Sequence, residues 1–247
     1  MANQPDPPQG EGQTNWFQDW SARTPIVSRS LLIAIVGGAL LAFLAGIADV
    51  FSNVPVLVLG SFQVWRLFTY PLFESSFFTL LFTLLSFSTQ GPKLELRMGS
   101  AAMAASVAAL TVLAGLAYIL FAVVLAFNPL VPMPDYLQTG SSGFWPILIG
   151  LITLDCWAQP EGTRRLLCFP CQIANRYFPL AFIGLFAVIG GGVPFDLLAG
   201  FAVAAVMSTS RAPFPCAVPT DAVAARLENG LLRSLAASPG FQHRHAR

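Results

Sequence analysis

Six apolar segments dominate the chain, and they limit its possible folds more than any other feature. They cover residues 30–51, 71–89, 100–127, 143–158, 174–190 and 194–210. A helix that crosses a bilayer needs about 20 apolar residues, or about 17 at the short end. Only 10% of the residues are charged, whereas soluble domains carry about 25%. The sequence therefore predicts an all-α membrane protein with six transmembrane helices in one bundle.

The last three segments are near or below the short limit for a spanning helix. Helices shorter than the hydrocarbon thickness are accommodated by a thinner bilayer or by water that enters it. We therefore expect the second half of the bundle to thin the membrane around it.

The basic residues predict the orientation of the six helices. Twelve of the thirteen Lys and Arg residues fall on one side of the predicted membrane, and Arg66 alone falls on the other. Basic residues accumulate in cytoplasmic loops. We therefore expect both termini in the cytoplasm. The net charge of +1 gives no electrostatic footprint for nucleic acid.

The domain organisation follows from the same pattern. Residues 1–29 are polar and rich in Pro and Gly, and they are predicted to form a flexible cytoplasmic tail. Residues 30–210 form the membrane domain, and residues 211–247 form a second cytoplasmic tail. Within this tail, leucines and a valine at i+4 spacing over residues 221–235 predict a short amphipathic helix. That helix would contact the membrane surface or a cytoplasmic partner, and a frayed tail is the alternative.

The loop after the first helix, NVPVLVLGSFQVWRLFTYPLF, is too apolar for an ordinary solvated loop. We expect it to lie in the membrane interface, where Trp65 and Tyr70 anchor it and Arg66 reaches lipid headgroups. A simple aromatic belt is the alternative interpretation.

Four short motifs occur in order along these segments. They are Trp65-Arg66 in the first loop, Glu95, Arg97, Gly99 and Ser100 in LELRMGS before the third helix, Gly140-Ser141-Ser142-Gly143 before the fourth, and Gly200 with Ala204 in the sixth. Each has a physical rationale. Small residues four apart let helix backbones approach, and a Glu suits the positive end of a helix dipole. Glycines beside a serine allow a tight turn whose amides are free to bind an oxyanion or a carbonyl.

The ordered set of motifs resembles the rhomboid superfamily of intramembrane serine proteases and their inactive relatives. The resemblance covers about residues 30–210. It implies a rhomboid-like bundle in which Ser142 faces the sixth helix near Leu197 and Gly200. By this resemblance Ser142 is at the position of the nucleophile of active members, in which a His on the sixth helix is the base.

That histidine is missing here. The matching position is Leu197, beside Asp196, and the two histidines of the chain, His243 and His245, lie in the C-terminal tail. A serine hydroxyl needs an adjacent base to act as a nucleophile. Because both histidines fall across the predicted membrane from Ser142, we expect no Ser–His dyad.

The oxyanion site is also altered. The resemblance places a His and an Asn of active members at Thr79 and Thr83, and it places Glu74 where another His often lies. Two hydroxyl groups are weaker donors, although they would still act with the turn at Gly140 and Gly143. We therefore expect an oxyanion site that is weakened relative to active members.

Two interpretations of the serine remain. We favour Ser142 as the N-cap of the fourth helix. The alternative is an intramembrane serine-type endopeptidase in which Ser142 is the nucleophile and Asp196, desolvated in the membrane, is the base. A helix-start residue is the simpler interpretation of Asp196.

The pair Cys168 and Cys171 forms a lone CxxC sequence with no second ligand pair. Ordinary packing and reversible palmitoylation are both better supported than a zinc site. We expect no cofactor and no metal.

The favoured function is a catalytically inactive pseudoprotease. The resemblance implies a protein that binds membrane lipids and transmembrane client proteins in quality control or trafficking, in the endoplasmic reticulum or another endomembrane. A transporter is the third class considered. The predicted spans carry no polar stripe and no inverted repeat, and solute uptake that depends on Asp196 would be needed to support it.

Overall fold

The structure is a computed structural model, and it describes residues 20–21, 23–130, 132–165, 172–209 and 241–242. Most of the described chain is helical. A longer helix lies at each of the six predicted segments. In chain order they are α1 (Ile26–Ala45), α2 (Phe77–Met98), α3 (Ser100–Ala126), α4 (Trp145–Ala158), α5 (Phe178–Gly190) and α6 (Phe195–Thr209).

Shorter elements connect these helices. The loop after α1 forms short helical segments at Ala48–Phe51, Pro55–Ser61 and Arg66–Thr69, followed by a 3₁₀ turn at Tyr70–Leu72. Further 3₁₀ turns are Pro134–Leu137 and Asn175–Tyr177. Several large side chains of the loop after α1 point outward, among them Phe62, which is 79% exposed. Exposed apolar side chains are what a segment in the membrane interface needs.

One element corrects the all-α prediction. Strands β1 (Thr163–Arg165) and β2 (Gln172–Ala174) pair antiparallel between α4 and α5, with Arg164 opposite Ile173. The two strands lie in the connection between two apolar segments. The hydropathy pattern predicted only the apolar helices, so it could not predict these strands.

The number of membrane spans stays a prediction. Among the described residues, α1 and α3 are long and apolar enough to cross a membrane. A third span results if Arg66–Leu72 and α2, which are bent by 84° at the break between them, count as one. The helices α4, α5 and α6 have 14, 13 and 15 residues. At 1.5 Å per residue they reach about 20–22 Å, which is less than a bilayer core of about 30 Å.

The start of α1 is fixed by a buried carboxylate. Glu95 at the end of α2 accepts hydrogen bonds from the backbone N–H of Val27 at 2.9 Å and of Ser28 at 2.6 Å. Its oxygens also accept the hydroxyl groups of Ser28 and Ser100, at 2.7 and 2.6 Å. Free N–H groups at a helix start need such acceptors. As a result α1 begins at Ile26, four residues before the predicted start of the membrane domain at residue 30.

The same corner of the fold holds two residues of the C-terminal tail. The N–H of Ser100 donates to the carbonyl of Gln242 at 2.8 Å, and the N–H of Gln242 donates to the hydroxyl of Ser100 at 2.9 Å. The predicted tail helix at residues 221–235 lies outside the described residues.

The core is centred on α4. Almost every side chain of α4 from Trp145 to Leu154 is buried, although a 14-residue helix on a protein surface would bury only one face. Helix α6 packs directly on it. A Cβ atom at Gly200 would collide with the carbonyl oxygen of Pro146, so glycine permits this close approach, and Ala204 on the same helix is fully buried.

Substitution of Gly200 tests the packing of α6 on α4. We expect Gly200→Ala to lower the free energy of unfolding by about 1–3 kcal/mol, because the added methyl group pushes the two backbones apart. Gly184→Ala on α5 is the matched control, since a Cβ atom there meets nothing within 4 Å. Thermal unfolding in detergent would measure both variants. Equal midpoints for the two would contradict the close approach.

The orientation is tested with epitope tags at both ends of the chain. Both tags should be stained in cells whose plasma membrane alone has been permeabilised, because the basic residues predict two cytoplasmic termini. A tag that is stained only after all membranes are opened would contradict this orientation. An internal tag in the loop after α1 serves as the control for the protected side.

Candidate functional site

The Gly140–Gly143 turn is held in place by two other parts of the chain. Asn53 and Ser141 pair as an isolated antiparallel bridge, with N···O distances of 2.8 and 3.1 Å. The N–H of Gly143 donates to the carbonyl of Tyr70 at 2.8 Å. The turn is therefore fixed by the loop after α1 before α4 begins.

Ser142 does not cap α4, so this prediction was wrong. The helix begins at Trp145, with Phe144 at the N-cap position and no side chain bonded to its free amides. The hydroxyl of Ser142 instead donates to the hydroxyl of Ser75, just before α2, at 3.1 Å. Two glycines and the bridge to Asn53 direct the serine away from the helix start and toward α2.

Ser142 and Ser75 lie in a polar cavity of about 340 Å³. The other residues that line it come from the loop after α1 and from the segment before α4: Ala48, Asp49, Ser52, Val54, Leu57, Gln138 and Gly140. Ser142 is partly exposed. A polar group that enters this cavity would therefore meet three serine hydroxyl groups, a carboxylate and an amide.

Glu74 lies directly beneath the turn. Its side chain is only 1% exposed, and its Oε1 accepts the N–H of Phe144 at 3.1 Å and the hydroxyl of Thr83 at 3.3 Å. Gly143 has φ +93°, which favours glycine, and a Cβ atom there would collide with the Glu74 carboxylate. The carboxylate fills the space under the glycine, and it binds an amide that the sequence suggested would be free for an oxyanion.

Of the predicted oxyanion site, the hydroxyl of Thr83 and the backbone carbonyl of Thr79 are engaged within the protein. The hydroxyl of Thr83 donates to the carbonyl of Thr79 at 2.9 Å as well as to Glu74. The carbonyl of Thr79 also accepts the indole N–H of Trp145 at 3.4 Å. Because Thr83 is fully buried, its hydroxyl supports the Glu74 carboxylate and does not point into open space.

Asp196 lies at the start of α6. Its Oδ1 accepts the N–H of Leu197 at 2.8 Å, as a residue at a helix start does. The carboxylate is close enough to interact electrostatically with Glu74 and Tyr70. In the described part of the chain, no hydrogen bond joins Asp196 to Ser142, so the proposed base does not contact the proposed nucleophile.

In the loop after α1, the predictions for Arg66 and Tyr70 were wrong. Arg66 is only 5% exposed, and its guanidinium donates to the carbonyls of Asp49 and Ser52 at 2.8 and 2.7 Å, not to headgroups. Tyr70 is 1% exposed and cannot anchor the loop, whereas Trp65 is 49% exposed. The free carbonyls of a tightly folded loop attracted the cation inward. Arg66 thereby fixes the wall of the polar cavity.

The LELRMGS motif spans the junction of α2 and α3. Gly99 there has φ +85°, which lets the chain turn between two helices with no intervening loop. Arg97 leaves this junction and forms an ion pair with Asp155 of α4 at 2.7 Å. The motif therefore fastens α2 to α1, α3 and α4.

Several predicted residues lie outside the described part of the chain. These are His243, His245, Cys168 and Cys171. That no histidine acts as a base for Ser142 therefore stays a prediction from the sequence, in which no histidine occurs before His243.

The sequence reasoning missed Ser75 and Asn53 as parts of the site, and it named Glu74 without predicting that its carboxylate binds the amide of Phe144. One signal was available for Glu74, because it is the only carboxylate between Asp49 and Glu95. A carboxyl group in so apolar a stretch has to find hydrogen-bond donors.

Substitutions at Glu74 test its structural role. We expect Glu74→Leu to lower the free energy of unfolding by about 1–3 kcal/mol, because the buried N–H of Phe144 loses its acceptor. Glu74→Gln keeps a carbonyl oxygen and should be less destabilising. Ser75→Ala, at the neighbouring exposed position, is the control. A Leu variant as stable as the Gln variant would show that Phe144 does not depend on Glu74.

Part of the chain is similar in sequence to known rhomboid-like proteins. The chain is 27% identical over 146 residues to Rhomboid-like protein 15 of Arabidopsis thaliana, covering 58% of this chain and 36% of that protein. It is 32% identical over 112 residues to Rhomboid-related protein 4 of Mus musculus, covering 45% of this chain and 34% of that protein. The match therefore spans about a third of the length of each of these relatives.

A family-level match covers more of the chain. The profile described as "Eukaryotic integral membrane protein (DUF1751)" matches residues 29–208, which include all six helices except the first three residues of α1 and the last residue of α6. Since this is most of the chain, the protein is an integral membrane protein that belongs to the DUF1751 family and is related to rhomboid-like proteins.

Proposed function

We propose that the protein is a catalytically inactive rhomboid-like pseudoprotease that binds other membrane proteins in quality control or trafficking. Its clients would be proteins with transmembrane helices, and its C-terminal tail would contact a cytoplasmic partner. The endoplasmic reticulum or another endomembrane is the proposed location. A fluorescent fusion compared with organelle markers tests the location, and staining confined to the plasma membrane would contradict it.

The position of Glu74 is the observation that carries this proposal. Serine proteases stabilise a developing oxyanion with amides aimed at it. Here the amides of Ser141, Gly143 and Phe144 already bind protein oxygens, and the last binds the Glu74 carboxylate. A carboxylate near a developing oxyanion would destabilise it by charge repulsion. The amide of Phe144, which Glu74 binds, would also not be free to donate to the oxyanion.

The environment of Ser142 supports the same proposal. Its hydroxyl contacts Ser75, and a second serine cannot remove a proton at neutral pH as a histidine does. The fold that positions the serine is intact, whereas the chemistry that would activate it is replaced by structural hydrogen bonds.

The polar cavity beside Ser142 gives the proposed binding role a physical basis. Polar residues within a client's transmembrane helix are unfavourable in lipid. The short helices α4, α5 and α6 would thin the bilayer nearby, and the cavity offers hydroxyl, amide and carboxylate groups to a client. A membrane helix with an exposed polar residue is the client chemistry that these features favour.

An activity assay separates the proposal from the alternative of an endopeptidase. We expect the wild type and Ser142→Ala, in proteoliposomes, to give the same background with a fluorophosphonate probe and with a panel of single-span substrates. An active rhomboid protease in the same vesicles is the positive control. Labelling and cleavage that disappear in Ser142→Ala would overturn the proposal and would make Asp196→Asn the next variant.

Photocrosslinking tests client binding directly. A crosslinker at Gln138, which lines the cavity, should capture a single-span helix with one central Asn more strongly than an all-Leu helix. A crosslinker at Leu120, 60% exposed on α3, is the control and should not discriminate. Ser75→Trp should reduce capture by filling the cavity. Equal capture of both helices from Gln138 would contradict the proposal.

A further inference from the structure

A second polar cavity lies away from Ser142, where the ends of α2 and α4 meet the β1–β2 ribbon. It has a volume of about 320 Å³. Six residues line it: Gln90, Lys93, Arg97, Asp155, Arg164 and Phe178. The lining therefore contains three cations and a single carboxylate, in a chain of which only 10% is charged.

Asp155 organises two of the cations. Its Oδ1 accepts Arg97 at 2.7 Å, and its Oδ2 accepts the guanidinium of Arg164. Each arginine uses one terminal nitrogen for this contact, and a guanidinium carries five N–H donors. Because Asp155 binds one nitrogen of each arginine, it holds both guanidinium groups at the cavity while each keeps further N–H donors.

Lys93 adds a third positive charge to the lining of the cavity. Its side chain is exposed, and it forms no ion pair with any residue that the structure describes. The cavity thus has an excess of two positive charges. An anion with several oxygens is the ligand that such a set of donors binds best, since arginine forks match phosphate oxygens in pairs and lysine acts as a point charge.

The cavity lies where apolar helices end. Lys93 and Arg97 are in the last two turns of α2, and Asp155 is in the last turn of α4. Nearby, the indole N–H of Trp157 donates to the carbonyl of Arg176 at 3.4 Å, and Tyr177 is exposed. Basic and aromatic residues at helix ends are typical of the lipid headgroup level, where basic pockets between helices bind anionic headgroups.

We propose that this cavity binds a phosphate group, carried either by an anionic membrane lipid or by a soluble phosphate ester. Lys93, Arg97 and Arg164 provide the donors, and Asp155 positions the two guanidinium groups. The proposal is independent of the proposed pseudoprotease function, because none of these residues lines the cavity at Ser142.

Lipid binding is measured in nanodiscs of phosphatidylcholine with and without phosphatidylinositol monophosphate. Native mass spectrometry counts the bound phosphoinositide. We expect Lys93→Gln to weaken binding about fivefold, the effect of one cation near a membrane surface. Arg23→Gln is the matched control, because it removes one exposed cation that does not line the cavity. If both variants lose the same amount of bound phosphoinositide, binding depends only on the overall surface charge, and the proposal is overturned.

A second measurement uses the wild type alone and so does not depend on the folding of a variant. Lys93 is the only lysine in the chain, so an amine-reactive acylating reagent followed by peptide mass spectrometry reports on this one side chain. Phosphatidylinositol monophosphate in the nanodisc should slow acylation of Lys93 about fivefold or more. The α-amino group at Met1 provides an internal control that should react at an unchanged rate.

The source of the phosphate is distinguished by a further arm of the labelling experiment. Inositol bisphosphate, the water-soluble headgroup, is added to nanodiscs that contain phosphatidylcholine alone. Protection by the lipid only supports a lipid site, and equal protection by the soluble compound supports a site for a free phosphate ester. Acylation of Lys93 that neither compound slows would overturn the proposal.

Discussion

A carboxyl group enclosed by apolar helices has to be surrounded by hydrogen-bond donors, and two such groups flank α2. At one end Glu95 accepts the backbone amides of Val27 and Ser28, which start α1, and the hydroxyl of Ser100, which starts α3. At the other end Glu74 accepts the amide of Phe144, just before α4. Each carboxylate supplies acceptors to helix starts whose N–H groups would otherwise be unpaired. Glu95 at the end of α2 and Glu74 just before its start thereby hold the starts of α1, α3 and α4 close to α2.

Hydropathy was enough to predict the six helices, and the small residues predicted the approach of α6 to α4, where Gly200 meets the carbonyl of Pro146. Both features depend on residues that are close in sequence or on one helix face. The capping role of Ser142 and the outward orientation of Arg66 were wrong, because both were inferred from local sequence alone. The partners that decide them, Ser75 and the carbonyls of Asp49 and Ser52, come from distant or tightly folded segments. The β1–β2 ribbon was not predicted, because strands of three residues are too short to show an alternating pattern of apolar and polar residues in the sequence.

The candidate site shows the same division. The missing histidine is visible in the sequence, and so is the isolated position of Glu74 in an apolar stretch. What the sequence does not contain is the geometry that places the Glu74 carboxylate under Gly143, whose backbone has φ +93°. That geometry changes the interpretation of the Gly140–Gly143 turn. The amides of Ser141 and Gly143 bind the carbonyls of Asn53 and Tyr70, so these two amides stabilise the turn itself.

The bridge between Asn53 and Ser141 has a consequence for how the protein is made. A chain is synthesised from its N-terminus, and contacts between distant residues form only after a large loop has closed. Asn53 and Tyr70 leave the ribosome well before Ser141 and Gly143, whose backbone groups they bind. An insertion intermediate that holds α1, α2 and α3 therefore has unpaired backbone groups and an uncovered Glu74 within the membrane. When α4 arrives, it pairs these backbone groups and covers Glu74 in the same step. We therefore expect biogenesis of this protein to be most sensitive to delay at this step, and to gain most from an insertion chaperone there.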